Sequence, residues 1–256
     1  MMRRLAAIAT WLLLGNALAA GLFWVLLQVP ESSTLTLALS ALAVVAIAIV
    51  LLWVQGGALA AWRPEQAVGV AFRRGLARSG AVIAGALVFG AMWWLTEVAS
   101  RGHMNHAGQI DAWIIARSGH SETGVLHQAI LGAIWVVRWG LGVTMAASLA
   151  ATIVARGAGA IGHRHWLSRA LNPIRWVAVA LIVALAIMWP WKYVYWRPAT
   201  IPLSAEPWFV AVKLGGIAVL WSVVAALVLR IVTPPSAPIA TPTSPTAGPA
   251  PPPRAA

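Results

Sequence analysis

The densest group of side chains able to do chemistry lies between Glu97 and His127. This stretch holds four of the six histidines and three of the six acidic residues of the chain. Imidazole and carboxylate together form a ligand set that suits zinc, iron or copper. The candidate metal ligands are His103, His106, Asp111, His120, Glu122 and His127.

The spacing of these candidates does not decide between a metal site and a solvated loop. His103 and His106 are three residues apart and would share a face of a helix, with Asp111 a little more than a turn beyond. No H-E-x-x-H or H-x-x-E-H spacing is present, and glycines interrupt the helical phase of the segment. Binding of Zn, Fe, Cu or haem is therefore kept as an alternative, and no cofactor is predicted.

A second candidate is Arg138, which lies near the middle of an apolar stretch between Trp135 and Trp139. An arginine at this depth in a membrane is costly, and because guanidinium keeps its proton it needs a partner. The acidic residues nearest in depth are Glu97 and Glu206, so we group them with Arg138 as a candidate intramembrane site. Two interpretations stay open. Arg138 faces a polar cavity or an anionic ligand, or its helix is shifted and the side chain extends to the headgroups.

Six apolar stretches have to position these residues. The chain is 61% hydrophobic and 9% charged, and a soluble protein of this composition would have too few polar side chains to cover its surface. About twenty apolar residues in helical form cross a bilayer, whereas the strands of a membrane barrel would alternate with polar residues. The sequence predicts an all-α polytopic membrane protein with short interfacial helices and six transmembrane helices, near 5–28, 35–55, 80–98, 125–154, 174–196 and 207–232.

Basic residues lie in alternate gaps between the predicted spans. Both ends of the chain and the gaps after the second and fourth spans hold twelve basic residues and one acid, while the other gaps hold four basic residues and five acids. By the positive-inside rule, both termini and the arginine-rich gaps are cytoplasmic, and the protein lies in a bacterial cytoplasmic (inner) membrane. The net charge of +12 is then an orientation signal. It favours the lipid bilayer as a partner and argues against nucleic acid.

The two ends of the chain differ in character. Residues 1–19 have the basic start, apolar middle and Ala-Leu-Ala ending of a signal peptide, but the apolar run continues to Gln28, which favours an uncleaved first helix. Residues 234–256 hold nine of the sixteen prolines and have no apolar periodicity. We therefore expect a membrane domain over 1–233 and a disordered cytoplasmic tail over 234–256.

The sequence supports three interpretations of function. Sparse polar groups and the absence of any nucleotide-binding or nucleophile motif favour an accessory or structural subunit that binds another membrane protein, without catalysis. A small-solute or lipid transporter is the first alternative, because a weak similarity between residues 72–94 and 168–190 is compatible with two halves around a polar cavity at Arg138. A metal- or haem-dependent membrane enzyme using the histidine-rich segment is the second.

Overall fold

Long helices account for almost the whole of the described chain. The computed structural model describes residues 2–30, 33–63, 65–118, 125–162, 165–195 and 206–233, with the backbone alone at 103–107, 111, 118, 125–127, 160, 165, 189 and 191–195. Within these ranges the chain is helical and has no strand. The helices are α1 (Met2–Leu27), α2 (Thr34–Ala61), α3 (Val68–Arg73), α4 (Ser79–Ser118), α5 (Val125–Val136), α6 (Val143–Arg156), α7 (His165–Ala170), α8 (Pro173–Tyr195) and α9 (Glu206–Val232).

Five helical segments are long and apolar enough to cross a membrane. They are Met2–Leu27, Thr34–Ala61, Gly75–Gly102, Gln128–Arg156 and Glu206–Val232. In lipid every backbone N–H and C=O must bond within the protein, and a helix does this inside one segment. The predicted all-helical fold is confirmed, and these five segments match five of the six predicted spans. In α8 the apolar part is shorter, from Pro173 to Met188.

Three contacts gather the arginine-bearing helix ends at one end of the bundle, which we call the basic end. Arg4 Nη2 donates a hydrogen bond to the carbonyl oxygen of Gln66 at 2.7 Å. Arg63 Nη1 donates to a carbonyl near the end of α6 at 3.2 Å. The guanidinium of Arg230 lies 5.8 Å from the ring centre of Trp62. The start of α1 and the ends of α2, α6 and α9 therefore meet at the basic end.

Aromatic side chains attach the segment that precedes α4 to the first two helices. The Trp11 indole stacks on Phe72 at 4.3 Å and meets Trp53 edge-on at 4.8 Å. Both indoles also donate hydrogen bonds, from Trp11 Nε1 to the carbonyl of Val54 at 2.9 Å and from Trp53 Nε1 to the carbonyl of Phe72 at 2.8 Å. The backbone of Gly75 rests directly against Trp53, where a Cβ would overlap the Trp53 carbonyl oxygen. The basic end is thus closely packed.

Small residues bring α4 and α6 together. A Cβ on Gly85 would lie 2.9 Å from the carbonyl oxygen of Ala146 and 3.3 Å from the Cβ of Ala150, so the two helix backbones are close to contact. Association of helices in lipid depends on van der Waals packing of this kind, because lipid tails are as apolar as leucine. Further along the pair, Gly142 faces Met92 of α4. The two helices are therefore antiparallel.

A hydrogen bond between α8 and α9 compensates for a proline in α8. Pro190 lies inside α8 and has no N–H, so the carbonyl of Ala186, four residues earlier, loses its helical donor. Trp221 Nε1 of α9 donates to that carbonyl at 2.9 Å and restores the lost bond. Val179 of α8 packs with Val228 near the end of α9. The two helices therefore run antiparallel.

Helix α4 is longer than the span predicted near 80–98. It continues through Gly102 and Gly108 to Ser118, and so includes the apolar piece 112–116. A glycine inside a helix costs roughly 1 kcal/mol relative to alanine, and flanking residues of high helix propensity can offset this cost. The histidine-rich segment before Ser118 is helix in the structure, not loop.

Candidate functional site

Arg138 is placed by an irregularity in its helix. The segment Val137–Gly142 is π-helical and joins α5 to α6 without a break. A π-helix has i→i+5 hydrogen bonds in place of the i→i+4 bonds of an α-helix, which shifts the register of the residues that follow. Such segments often occur at functional sites. Side chains on a helix lean toward its N-terminus. Arg138 therefore extends toward the start of α5, away from the basic end, where it meets α4.

Two residues of α4 bind the guanidinium of Arg138. Its Nη2 lies 3.0 Å from Glu97 Oε2, and its Nε donates to Thr96 Oγ1 at 2.9 Å. Thr96 Oγ1 donates in turn to the carbonyl of Trp93 at 2.9 Å, so the hydroxyl both accepts and donates. The guanidinium carbon lies 4.3 Å from the centre of the Trp93 ring. We call Arg138, Glu97, Thr96 and Trp93 the Arg138 cluster.

Aromatic rings of α4 and of the π-helical segment pack against one another beside the cluster. Trp93 meets Trp139 edge-on at 5.6 Å, and Phe89 lies 5.8 Å from Trp139 and 5.9 Å from Trp93. A cation over an indole face gains about 2 kcal/mol when it is removed from water. These rings therefore stabilise the cation and separate it from the hydrocarbon.

The two charges of the ion pair differ in exposure. The Arg138 side chain is 16% exposed, whereas Glu97 is 38% exposed. The other carboxylate oxygen of Glu97, Oε1, lies 3.4 Å from Nε of Arg101, whose side chain is 79% exposed. Glu97 thus joins a buried cation to an exposed one, and it is the more exposed group of the Arg138–Glu97 pair.

The π-helical segment also fits against α8. A Cβ on Gly140 would lie 2.6 Å from the carbonyl oxygen of Trp176 and 2.9 Å from the Cβ of Ala180, so this position has room only for glycine. Thr144 Oγ1 donates to the carbonyl of Gly140 at 2.6 Å. Hydroxyls commonly satisfy carbonyls that an irregular helix leaves without a partner. The segment that carries Arg138 is therefore held by both neighbouring helices.

The Arg138 cluster is a satisfied ion pair, in which the carboxylate, hydroxyl and indole all come from α4. No family model, curated protein or solved structure matches the chain. Its function therefore has to be inferred from its own geometry. The Arg138 cluster neutralises a charge within the spanning helices and fixes α4 against the α5–α6 helix.

The structure brings together two of the three residues of the predicted intramembrane site. Arg138 and Glu97 are paired, while Glu206 starts α9 and is half-buried there. Lys213, one of the basic residues of the last span, is 9% exposed, and its Nζ lies 4.7 Å from the ring centre of Phe209. The Lys213 ammonium thus packs on an aromatic ring of its own helix.

The side chains of all six predicted metal ligands fall outside those that the structure describes. His103, His106 and Asp111 lie on α4, with the first two on one face by their spacing, and His127 lies on α5. His120 and Glu122 lie outside the described residues. Among the described side chains there is no group of three metal-binding residues. The metal site stays a prediction.

Sequence reasoning missed Thr96 and Trp93 as members of the cluster. The available signal was their spacing, since Phe89, Trp93, Thr96 and Glu97 recur at helical intervals and share one face of α4. A hydroxyl, an indole and a carboxylate on one face of an apolar helix indicate a cation opposite them. Arg138 is that cation.

Proposed function

We propose that the protein is a non-catalytic accessory subunit that binds another integral membrane protein through α2. The observation that carries the proposal is an exposed stripe on this helix. Leu35, Leu39, Leu42 and Ile49 follow the 4-3 spacing of a helix–helix seam, with Ala46 between the last two. They are 70%, 50%, 65% and 46% exposed. We call these four residues the leucine stripe.

The described residues leave every member of the leucine stripe at least 46% exposed. About 100° around α2 lie the shielded residues Thr36, Ser40, Ala43, Ile47 and Val50, which also follow the 4-3 spacing. One seam therefore faces the bundle, and the second lies beside it on the exposed surface of the helix. Large aliphatic side chains at seam positions can interlock with those of a partner helix through van der Waals packing.

The Arg138 cluster supports the same proposal. Arg138 has its charge matched by Glu97, its Nε bonded to Thr96 and one face of its guanidinium against Trp93. The described contacts therefore make it a structural element that fixes two helices. Such a rigid bundle is suited to presenting a helix surface to a partner.

We expect a photoreactive p-benzoylphenylalanine at Leu42 to crosslink in native membranes to one protein of defined size. The residue lies at the centre of the leucine stripe, within reach of a partner helix. The matched control is Val44, which is 54% exposed on the same helix at nearly the same depth but points to another side. Denaturing gels of the purified adducts, followed by mass spectrometry, provide the measurement.

Lipid adducts alone at Leu42 would contradict this function. Adducts of equal yield at Leu42 and Val44 would also contradict it, because they would indicate random collisions in the membrane. A product of twice the mass of the chain would replace the accessory role with self-association. The partner seen at Leu42 should also copurify in mild detergent at a fixed ratio.

We further propose six crossings in a bacterial inner membrane, with both termini and the basic end in the cytoplasm. The contacts of Arg4 with Gln66 and of Arg230 with Trp62 support an even number of crossings, since both chain ends then lie on one side. Helix α8 would supply the sixth crossing, and α3 and α7 would lie at the membrane surface. The arginine excess at the basic end sets the orientation.

A transporter is the second candidate, favoured by hydroxyls on α6. Thr144, Ser148 and Thr152 are buried at four-residue intervals between Arg138 and Arg156. Thr152 Oγ1 donates to the carbonyl of Ser148 at 2.7 Å, but Ser148 Oγ has no partner among the described residues. A water-filled path along this face would satisfy that hydroxyl.

The chain has no cysteine, so single substitutions can test both the topology and the path. With a membrane-impermeant maleimide, we expect Ala112→Cys to react in intact cells and Ala77→Cys to react only after permeabilisation. Ser148→Cys should react in neither case, because the accessory role needs no water at mid-membrane. Labelling of Ala77→Cys from outside would reverse the orientation. Labelling of Ser148→Cys would favour the transporter.

A further inference from the structure

Three arginines meet at the basic end where α6, α7 and α8 join. Arg156 ends α6, Arg169 lies in the last turn of α7, and Arg175 lies in the first turn of α8. No aspartate or glutamate occurs between Arg156 and Glu206 in the sequence. We call Arg156, Arg169 and Arg175 the arginine triad.

The described protein groups leave the triad incompletely satisfied. Nη1 of Arg175 is buried and has no hydrogen-bond partner among the described residues. Burial, followed by the charges of Arg156 and Arg175, lowers the pKa of Arg169. A buried donor of a charged group without a partner is destabilising. An anion bound at the triad would reduce the repulsion among its charges.

The start of α8 adds to the positive potential. Asn172 caps the helix, with its Oδ1 accepting from the N–H of Ile174 at 3.1 Å. Because this cap is neutral, the partial positive charge of the helix N-terminus is not cancelled. Arg175 therefore combines its own charge with that of the helix end.

An apolar track begins beside the triad. Ile174, Leu181 and Leu185 are 78%, 61% and 69% exposed and share one face of α8. Leu171, 53% exposed, precedes them at the same end. A ligand with a phosphate at the triad and a hydrocarbon chain along these residues matches both features.

We propose that the arginine triad binds the phosphate of an anionic phospholipid, whose acyl chains lie along the exposed face of α8. Guanidinium groups bind phosphate through paired, charge-assisted hydrogen bonds. In the triad, Arg156 is exposed and Arg169 and Arg175 are half-buried. This inference does not depend on the partner proposed for the leucine stripe. It adds a lipid-binding site to the proposed role in binding a partner protein.

Native mass spectrometry of the full chain, released from detergent with added phosphatidylglycerol or phosphatidylcholine, tests the site. We expect the double variant Arg169→Gln/Arg175→Gln to bind phosphatidylglycerol about 10- to 30-fold more weakly than the unchanged chain, because it removes charge-assisted hydrogen bonds to the phosphate that each contribute about fivefold and that other arginines of the basic end do not make. The control Arg73→Gln/Arg74→Gln removes the same charge from exposed residues of the same end. It should change binding by less than about twofold.

Thermal stability separates a lipid site from a structural role. In neutral detergent, Arg175→Gln should raise the melting temperature, because it removes an unpaired charged donor, and it should abolish the further rise that phosphatidylglycerol gives to the unchanged chain. A lower melting temperature with the lipid effect retained would overturn the proposal. Equal losses in the two double variants would also overturn it, as would full displacement of the lipid by millimolar inorganic phosphate, which would make free phosphate the ligand.

Discussion

Replacing Glu97 with glutamine should destabilise the folded protein more than replacing Arg138 with methionine. The Glu97→Gln change leaves Arg138, 16% exposed, without a counter-charge and unable to lose its proton. Breaking a buried ion pair in this way costs about 3 kcal/mol, with the partial exposure of Glu97 keeping it near the lower limit. The Arg138→Met change leaves a carboxylate that is 38% exposed and still beside Arg101, so we expect about 1 kcal/mol.

Thermal unfolding in nanodiscs would measure this asymmetry. The double variant Glu97→Gln/Arg138→Met should recover most of the stability lost in Glu97→Gln, because no unpaired charge remains. Arg101→Gln is the control, and it should have almost no effect since Arg101 is 79% exposed. If Arg138→Met proves the more harmful of the single changes, the cluster holds a function for the arginine that pairing with Glu97 does not explain.

Replacing Gly75 with alanine should detach the segment between α2 and α4 from the bundle. The new Cβ would overlap the Trp53 carbonyl oxygen and lie 2.9 Å from the amide nitrogen of Gly57. Both neighbours are backbone atoms, which cannot rotate away, so the overlap exceeds ordinary overpacking, which costs about 1–3 kcal/mol. We expect a large fall in melting temperature and rapid trypsin cleavage at Arg73 or Arg74.

Two other glycines provide the control for that change. Gly69 lies in α3 and Gly80 is the second residue of α4, and neither has an atom within 4 Å of the place a Cβ would occupy. Alanine at either should leave stability unchanged or slightly raised, since both are helical. Equal destabilisation at Gly69, Gly75 and Gly80 would show that the close contact with Trp53 is not what holds the segment.

The sequence predicts the helices well because lipid imposes a simple rule. Every run of about twenty apolar residues must be helical, so composition alone locates most of α1, α2, α4, α6 and α9. The end of α4 was not predictable in this way. Its last turns are polar and contain glycines, and their helical form depends on context that local propensity does not describe.

The Arg138 cluster was only half predictable. A mid-span arginine needs a partner, and Glu97 and Glu206 were the two acids at a suitable depth. The choice between them depends on which helices touch, which the small residue Gly85 and the π-helical register around Arg138 decide. Neither signal is visible in hydropathy, and the hydroxyl of Thr96 completes the site only in three dimensions.

Pro190 makes the assembly of one helix depend on the synthesis of another. The proline leaves the Ala186 carbonyl without a helical donor, and an indole 35 residues further along the chain donates to it instead. During translation, α8 is therefore synthesised before the indole that completes it. An unbonded carbonyl in hydrocarbon costs several kcal/mol, and the apolar part of α8 is short. The last two helices thus enter the bilayer most favourably as a hairpin, already bonded to each other.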